Sequence, residues 1–259
     1  MSLSINDLVN ADASLISRRC WSDAGVYALE KRGIFGKSWL FLGHESQIRV
    51  PGDFVQAYMC ETPIILSRGQ GGGIYANINS CTHRGLPVCR ADHGNTKRFV
   101  CPYHNWSYSV EGNLMTIPQE SEVVRKPDKT QLGLKRVPRV ESWRGMIFGS
   151  FDEAIIPLDE YLGDMRFYLD AFFDRFPAGI EFMGAPHRWV INANWKLPVE
   201  NQLGDVNHGA FLHSAIIPKE AQDIIEQLGH SVVTTPGHGA TFRLMPENTP
   251  VDDVAWGME

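Results

Sequence analysis

The chain has little cysteine, no long apolar run and no block of one charge. Five cysteines occur in 259 residues, Cys20, Cys60, Cys81, Cys89 and Cys101. They are too few and too scattered for a disulfide framework, so metal binding or plain burial explains them better. No stretch approaches the ~18 consecutive apolar residues of a membrane span. The opening MSLSINDLVNADASL lacks the basic stretch and apolar run of a secretory signal. No Lys/Arg cluster interrupts a formal charge of −6, which argues against nucleic acid or an anionic membrane surface as a partner. These absences predict a cytoplasmic protein that works neither on nucleic acid nor in a membrane.

What is present is an ordinary globular composition, 43% hydrophobic and 21% charged, with room for one large domain or two smaller ones. Residues 36–151 read as short strands. WLFLGH, DFVQAYMC, PIILSR, GGGIYANINS, KRFVCPY, SYSVEGNLMTI and GMIFGSF are β-branched or aromatic runs separated by Gly, Pro, Asn and Asp. Before them, SDAGVYALEKRGIFG predicts a short leading helix with Ser22 as its N-cap. After them, PLDEYLGDMRFYLDAFFDRFP places Leu158, Leu162, Met165 and Leu169 on one helical stripe ending at Pro177. A further helix is expected from Pro198 toward Ile217, stopped by Pro218. A short helix from about Ala221 should follow, then strand and turn in HSVVTTPGHGATFRL.

Chemistry concentrates in CTHRGLPVCRADHGNTKRFVCPYHNW. Cys81-Thr-His83 and Cys101-Pro-Tyr-His104 each offer one thiolate and one imidazole, with seventeen residues (84–100) between the pairs. Two loops that must each reach two metal atoms need such an arrangement. In a Rieske [2Fe–2S] centre the two thiolates bind one iron and the two imidazoles the other. A mononuclear Cys₂His₂ zinc site uses the same four residues, although its usual order is two Cys then two His rather than the alternation found here. Buried strand cysteines with coincidental histidines are a third reading. His44, His93, Cys20, Cys60 and Cys89 lie outside the motif and read as structural or surface residues.

The second constellation lies in NANWKLPVENQLGDVNHGAFLHSA, where Asn201, Asp205, His208 and His213 fall on the expected helix. Asp205 and His208 are about 60° apart around a helix axis and share a face. His208 and His213 are about 140° apart, so one ion takes both only if the helix is distorted or the imidazoles converge from its sides. Gly209 tolerates such irregularity. In isolation, two packing histidines would be the default reading.

Together the two constellations resemble the catalytic α subunit of the Rieske non-heme iron aromatic ring-hydroxylating oxygenases. Cys81, His83-Arg84-Gly85, Cys101-Pro102-Tyr103-His104, Asn194-Trp195-Lys196, Glu200-Asn201, Gly204-Asp205 and the paired histidines carry the resemblance. It implies an α+β fold with a helical segment at 1–35, an all-β Rieske domain at 36–155 and, at 156–259, the incomplete start of an antiparallel-sheet-plus-helices catalytic domain. It also implies a [2Fe–2S] cluster on Cys81, His83, Cys101 and His104. His208 and His213 would be ligands of a mononuclear Fe(II) in a 2-His-1-carboxylate site. Asp205 would bridge His208 to His104 of a neighbouring subunit in a head-to-tail homotrimer, with or without a β subunit (α₃β₃). Asn201 and Phe211 would approach the substrate.

The implied reaction takes electrons from NAD(P)H through a reductase and ferredoxin to the cluster, then to Fe(II), where O₂ hydroxylates an aromatic substrate, commonly to a cis-dihydrodiol. A Rieske electron carrier without oxygenase activity is the alternative. Three departures stand out. The family usually has Gly where this chain has Asn105, and Asn is the next most tolerant residue if positive φ is required. Asn207 replaces a usual Tyr. The family's third iron ligand, an Asp, lies downstream of residue 259, and Asp252 and Asp253 lack its context. The expectation is therefore an N-terminal part of a longer subunit, one that binds the cluster but holds Fe(II) poorly by itself.

Overall fold

The computed structural model describes residues 4–122, 127–204, 208, 212–213, 215–216, 229–235 and 237–243. The chain forms two compact units. The first comprises residues 1–7, 23–161 and 173–189, and the second residues 8–22, 162–172 and 190–259.

The first unit is organised by an antiparallel sheet of order β4-β3-β2-β5, made of β2 (Asp53–Met59), β3 (Thr62–Arg68), β4 (Ile74–Ile78) and β5 (His93–Asn95). Strands in such a sheet send alternate side chains to opposite faces, and here both faces are covered. Val55, Ala57, Met59, Ile64, Leu66 and Ala76 point into one core, which also takes Leu42, Ile48, Val137 and Ile147. Phe54 and Ile65 point into the other, with Cys81, Val88, Cys89, Phe99, Cys101 and Tyr108. That second face also carries buried Gln56, Ser67 and Asn79. Alternation alone would assign these polar positions to water; instead they tie the sheet to the lobe above it.

The first core is closed by a sheet of order β1-β10-β9, comprising β1 (Leu40–His44), β9 (Arg139–Trp143) and β10 (Met146–Ser150). The lobe over the other face is a small sheet of β6 (Arg98–Val100), β7 (Ser107–Ser109) and β8 (Leu114–Thr116). Residues 173–189 return to this unit. The Phe182 ring stacks on His44 at 4.7 Å, Gln47 Nε2 donates to the Gly184 carbonyl at 2.7 Å, and Arg188 pairs with Asp92 at 3.1 Å. Outside the Rieske-like motif, buried His44 caps the turn after β1, a structural role as expected.

The expected strands are all present, and two were not foreseen. β5 has no β-branched residue, and it forms because the edge of β2 is there to pair with, Asp53 opposite Asn95. β9 joins β10 through Arg144-Gly145, both at positive φ, the two-residue turn whose twist suits a hairpin.

Helix boundaries differ from the sequence expectation for identifiable reasons. α1 (Arg19–Ser22) and α2 (Ala24–Glu30) are separate, and Asp23, not Ser22, caps α2 by accepting the Gly25 N–H at 2.7 Å. The Ser22 hydroxyl is committed to the Arg18 carbonyl at 3.1 Å. The single stripe from Leu158 is split into α3 (Leu158–Leu162) and α4 (Met165–Phe173) by Gly163 at φ +48°. Leu158, Leu162 and Met165 are buried all the same. α4 stops four residues before Pro177, whose ring would clash with the Phe173 carbonyl in a continued helix.

In the second unit, α5 (Lys196–Leu203) begins two residues before Pro198, with the Lys196 N–H held by Asn194 Oδ1 at 3.1 Å. It ends at Leu203 rather than running unbroken toward Ile217; the backbone is helical again at His208 and Leu212 and forms turns at His213, Ala215 and Ile216, while residues 205–207, 209–211, 214 and 217 lie outside the described residues. The helix expected after Ala221 lies there too. The final hairpin forms as expected, β11 (Gly229–Thr234) against β12 (His238–Arg243). No helix among the described residues is long and apolar enough to cross a membrane.

Leu66 is fully buried at the centre of one core. Leu66→Ala should cost about 2–5 kcal/mol, whereas Val50→Ala, at a site 55% exposed, should change stability by less than about 0.5 kcal/mol. Urea unfolding monitored by tryptophan fluorescence checks this, and equal midpoints for the two variants would contradict the packing described.

Candidate metal centre

The two candidate ligand loops are one turn built twice. In the first, the Cys81 N–H donates to the Leu86 carbonyl at 2.9 Å and the Gly85 N–H to the Cys81 carbonyl at 2.7 Å. In the second, the Cys101 N–H donates to the Trp106 carbonyl at 2.8 Å and the Asn105 N–H to the Cys101 carbonyl at 3.0 Å. Both closures require positive φ at the residue four after the cysteine: Gly85 has φ +81° and Asn105 φ +56°. Glycine reaches that region freely and asparagine tolerates it, so Asn105 does in one loop what Gly85 does in the other. The imidazole is carried at the third residue of the first loop, His83, and at the fourth of the second, His104.

Burial sorts the donors. Cys81 and Cys101 are 3% and 2% exposed in the core of the lobe, whereas His83 is exposed and His104 half-buried. The histidine rings approach to 4.7 Å between centroids, nearly edge to face. His83 stacks flat on Trp106 at 4.9 Å, and Tyr103 lies against His104 at 3.9 Å. Partial desolvation lowers the His83 pKa from its ordinary value, and the charges of His104 and Arg84 act in the same direction. The neutral imidazole is the form that binds metal.

Tyr108, completely buried, reaches the same place from β7. Its hydroxyl lies 3.1 Å from Cys81 Sγ and 3.0 Å from Thr82 Oγ1, and it accepts the Thr82 N–H at 3.2 Å. The Thr82 hydroxyl donates to the Leu132 carbonyl at 2.8 Å, so Thr82 Oγ1 and Cys81 Sγ both face the phenol proton, and once Cys81 is a thiolate, which can only accept, the phenol is the group that donates to it. Burial, followed by the bond to Cys81, pushes the Tyr108 pKa up to about 12, so the phenol remains a donor.

The residues fit an iron–sulfur cluster. His104 Nδ1 is buried without a hydrogen-bond partner, a costly state for a polar atom unless something binds it. Cys81 and Cys101 are both free thiols. Among the described residues no three Cys, His, Asp or Glu side chains form a group for one ion.

The second constellation is partly described. The His208 and His213 rings lie 5.7 Å apart between centroids, 68° from coplanar, His208 half-buried and His213 exposed. Five-residue spacing does not keep them apart. Asn201 is exposed on α5, and that helix is held against the hairpin by Thr241 Oγ1 donating to the Gln202 carbonyl at 2.8 Å. Asp205 and Phe211 lie outside the described residues. Sequence reasoning passed over Tyr108 and Trp106. Trp106 directly follows the second loop, but only a three-dimensional contact reveals that it backs the histidine of the first.

Residues 38–138 match the family model of the Rieske [2Fe–2S] domain. The chain is 41% identical over 204 residues to the benzene 1,2-dioxygenase subunit alpha of Pseudomonas putida, covering 79% of this chain and 45% of that one. It is 36% identical over 242 residues to the biphenyl dioxygenase subunit alpha of Metapseudomonas furukawaii, covering 90% and 52%. Among solved structures, naphthalene 1,2-dioxygenase from Rhodococcus sp. bound to indole superposes with a TM-score of 0.79 at 40% identity, over 88% of this chain and 53% of that one. The chain spans about half the length of the curated relatives it matches.

Tyr108→Phe removes one hydrogen bond to a sulfur. Such a bond stabilises the more negative reduced state. At about 1–1.5 kcal/mol, its loss should lower the one-electron reduction potential on the order of 50 mV. A redox titration followed in the visible checks this, and an unchanged or higher potential would contradict it. Asn105→Gly should retain full iron and sulfide, while Asn105→Val, paying about 1–2 kcal/mol for left-handed backbone, should lose them in part. Equal content in the two variants would contradict the loop geometry.

Proposed function

For a chain that carries a Rieske [2Fe–2S] domain and is homologous over most of its length to about half of an aromatic-ring dioxygenase α subunit, we propose the function of a terminal oxygenase component acting on an aromatic compound. In this reading the domains divide at 1–35, 36–155 and 156–259. Cys81 and Cys101 hold one iron of the cluster and His83 and His104 the other. His208 and His213 hold a mononuclear Fe(II) together with a carboxylate. When bound, the cluster supplies electrons singly and the Fe(II) supplies O₂ activation for hydroxylation, with cis-dihydroxylation the expected outcome.

The single observation that carries the proposal is the pair of matched loops, each presenting one thiol and one imidazole, with His104 Nδ1 buried and unpartnered between them. The close approach of His208 and His213, and homology that extends past the Rieske domain, favour an oxygenase over a bare electron carrier. The chain's own residues have distinct tasks. The buried thiols keep water from one side of the cluster, and exposed His83 and half-buried His104 form the face through which electrons enter or leave. Trp106 limits rotation of the His83 ring, and Tyr108 holds its proton on Cys81.

Asp205 accepts the second ring N–H of His208, fixing its tautomer, and links it to His104 of a neighbouring subunit in a homotrimer, with or without a β subunit (α₃β₃). Asn201 and Phe211 line the approach of the substrate. The partners are a ferredoxin, an NAD(P)H-dependent reductase or both, and the compartment is the cytoplasm.

The test is product analysis of the full-length protein with a reconstituted electron-transfer chain, against a panel of aromatic hydrocarbons and aromatic acids. Oxygenated product, chiefly cis-dihydrodiol, is expected; none, from protein loaded with both irons and reducible at the cluster, would overturn the proposal. Asp205→Ala should keep both metals yet lower product formation by about 10–100-fold. Full turnover by that variant would remove the bridging role.

A further inference from the structure

The two ligand loops share one internal closure but differ at the neck. The second loop springs from a hairpin, and its ends are held by backbone pairing of Val100 with Ser107. The first leaves the end of β4 at Ile78, and its returning limb, Val88 and Cys89, belongs to no strand. It has no backbone ladder to close it.

A side chain does so instead. Asn79, 2% exposed and two residues before Cys81, is fixed to the sheet by its own N–H, which donates to the Pro63 carbonyl at 2.8 Å. Its Oδ1 accepts the N–H groups of Val88 at 2.9 Å and Cys89 at 3.0 Å. Its Nδ2 donates to the Cys89 carbonyl at 2.7 Å and to Gln56 Oε1 at 3.4 Å. Every lone pair and proton of the amide is used. Gln56 extends the clamp by donating to the Ala91 carbonyl at 2.8 Å.

We propose that Asn79 is a positioning residue for the metal centre: its amide closes the neck of the first ligand loop and thereby fixes where Cys81 and His83 present their donor atoms. The proposal rests on the cluster reading given above. Without this amide, two N–H groups are left unpaired in a buried place, each a substantial penalty, and the Cys89 carbonyl keeps only a long bond from Gln56 Nε2 at 3.5 Å. The returning limb must then shift to satisfy them, carrying with it Leu86, whose carbonyl holds the Cys81 N–H. Residues that orient metal ligands in this way typically govern metal affinity by about 10–100-fold.

The test compares Asn79→Ala with Ser67→Ala in the cluster-loaded protein. Ser67 is fully buried on the same face of the sheet, and its Oγ donates to the Val110 carbonyl at 2.7 Å, so its loss weakens the same interface without touching either ligand loop. Both variants should melt earlier. Only Asn79→Ala should release iron to a chelator faster, by about 10–100-fold, with displaced g-values in the EPR spectrum of the reduced cluster. An unchanged release rate and spectrum in Asn79→Ala, or an equal change in Ser67→Ala, would overturn the proposal. Should the alanine variant not fold, Asn79→Asp keeps the two acceptor bonds but loses the Nδ2 donor, and it should likewise release iron faster than the parent; an unchanged rate overturns the proposal. If the parent holds no sulfide, the cluster reading has failed instead. The neck closure is then read separately, as faster amide exchange at Val88 and Cys89 in metal-free Asn79→Ala, and unchanged exchange overturns it.

Discussion

A metal bridge between two loops needs each loop to hold one soft and one borderline donor in fixed directions before the metal arrives, and the backbone has to supply that rigidity. Here the constraint is met by two hydrogen bonds within each loop, from the cysteine N–H forward to a carbonyl five residues on and from the residue four after the cysteine back to its carbonyl. The closure forces one residue per loop into left-handed backbone, which explains why Gly85 and Asn105 stand where they do. With the backbone set, the shift of the imidazole from third to fourth position brings the two rings edge to face at 4.7 Å.

The rest of the first unit serves that lobe. A sheet buried on both faces is unusual for short antiparallel strands, which commonly leave one face to water. In this chain one face packs on hydrocarbon and the other combines Phe54 and Ile65 with the amides of Gln56 and Asn79 and the hydroxyl of Ser67. The apolar contacts supply most of the stabilisation, while the polar ones have direction and therefore fix the lobe's register on the sheet. Breaking one such bond costs more than it contributes, because its partner remains buried. Precision at the cluster loops thus depends on an interface designed to tolerate little slippage.

Much of this was legible in the sequence. Strand runs such as DFVQAYMC and PIILSR read correctly because β-branched and aromatic residues were bounded by turn formers, and Asn105 could be read as a surrogate glycine because few other residues accept positive φ. The misses have physical causes. β5 has no propensity of its own and forms by pairing with an available edge. The stripe from Leu158 kept its burial but not its continuity, since periodicity records which side faces the core and not where a glycine turns the chain. The partners of the candidate ligands were the least legible. Tyr108, Trp106 and Asn79 act from 27, 23 and 2 residues away from Cys81 or His83, and pattern reading sees spacing along the chain, not contact across it.

The central claim is that the two thiols and two imidazoles hold a core of two irons and two inorganic sulfides. Its most direct check is a joint assay of iron and acid-labile sulfide on the purified protein, with EPR before and after one-electron reduction. The account predicts two sulfides per chain from the cluster and a signal that is absent when oxidised and present when reduced. Stoichiometric zinc without sulfide, and silence in both states, would contradict it.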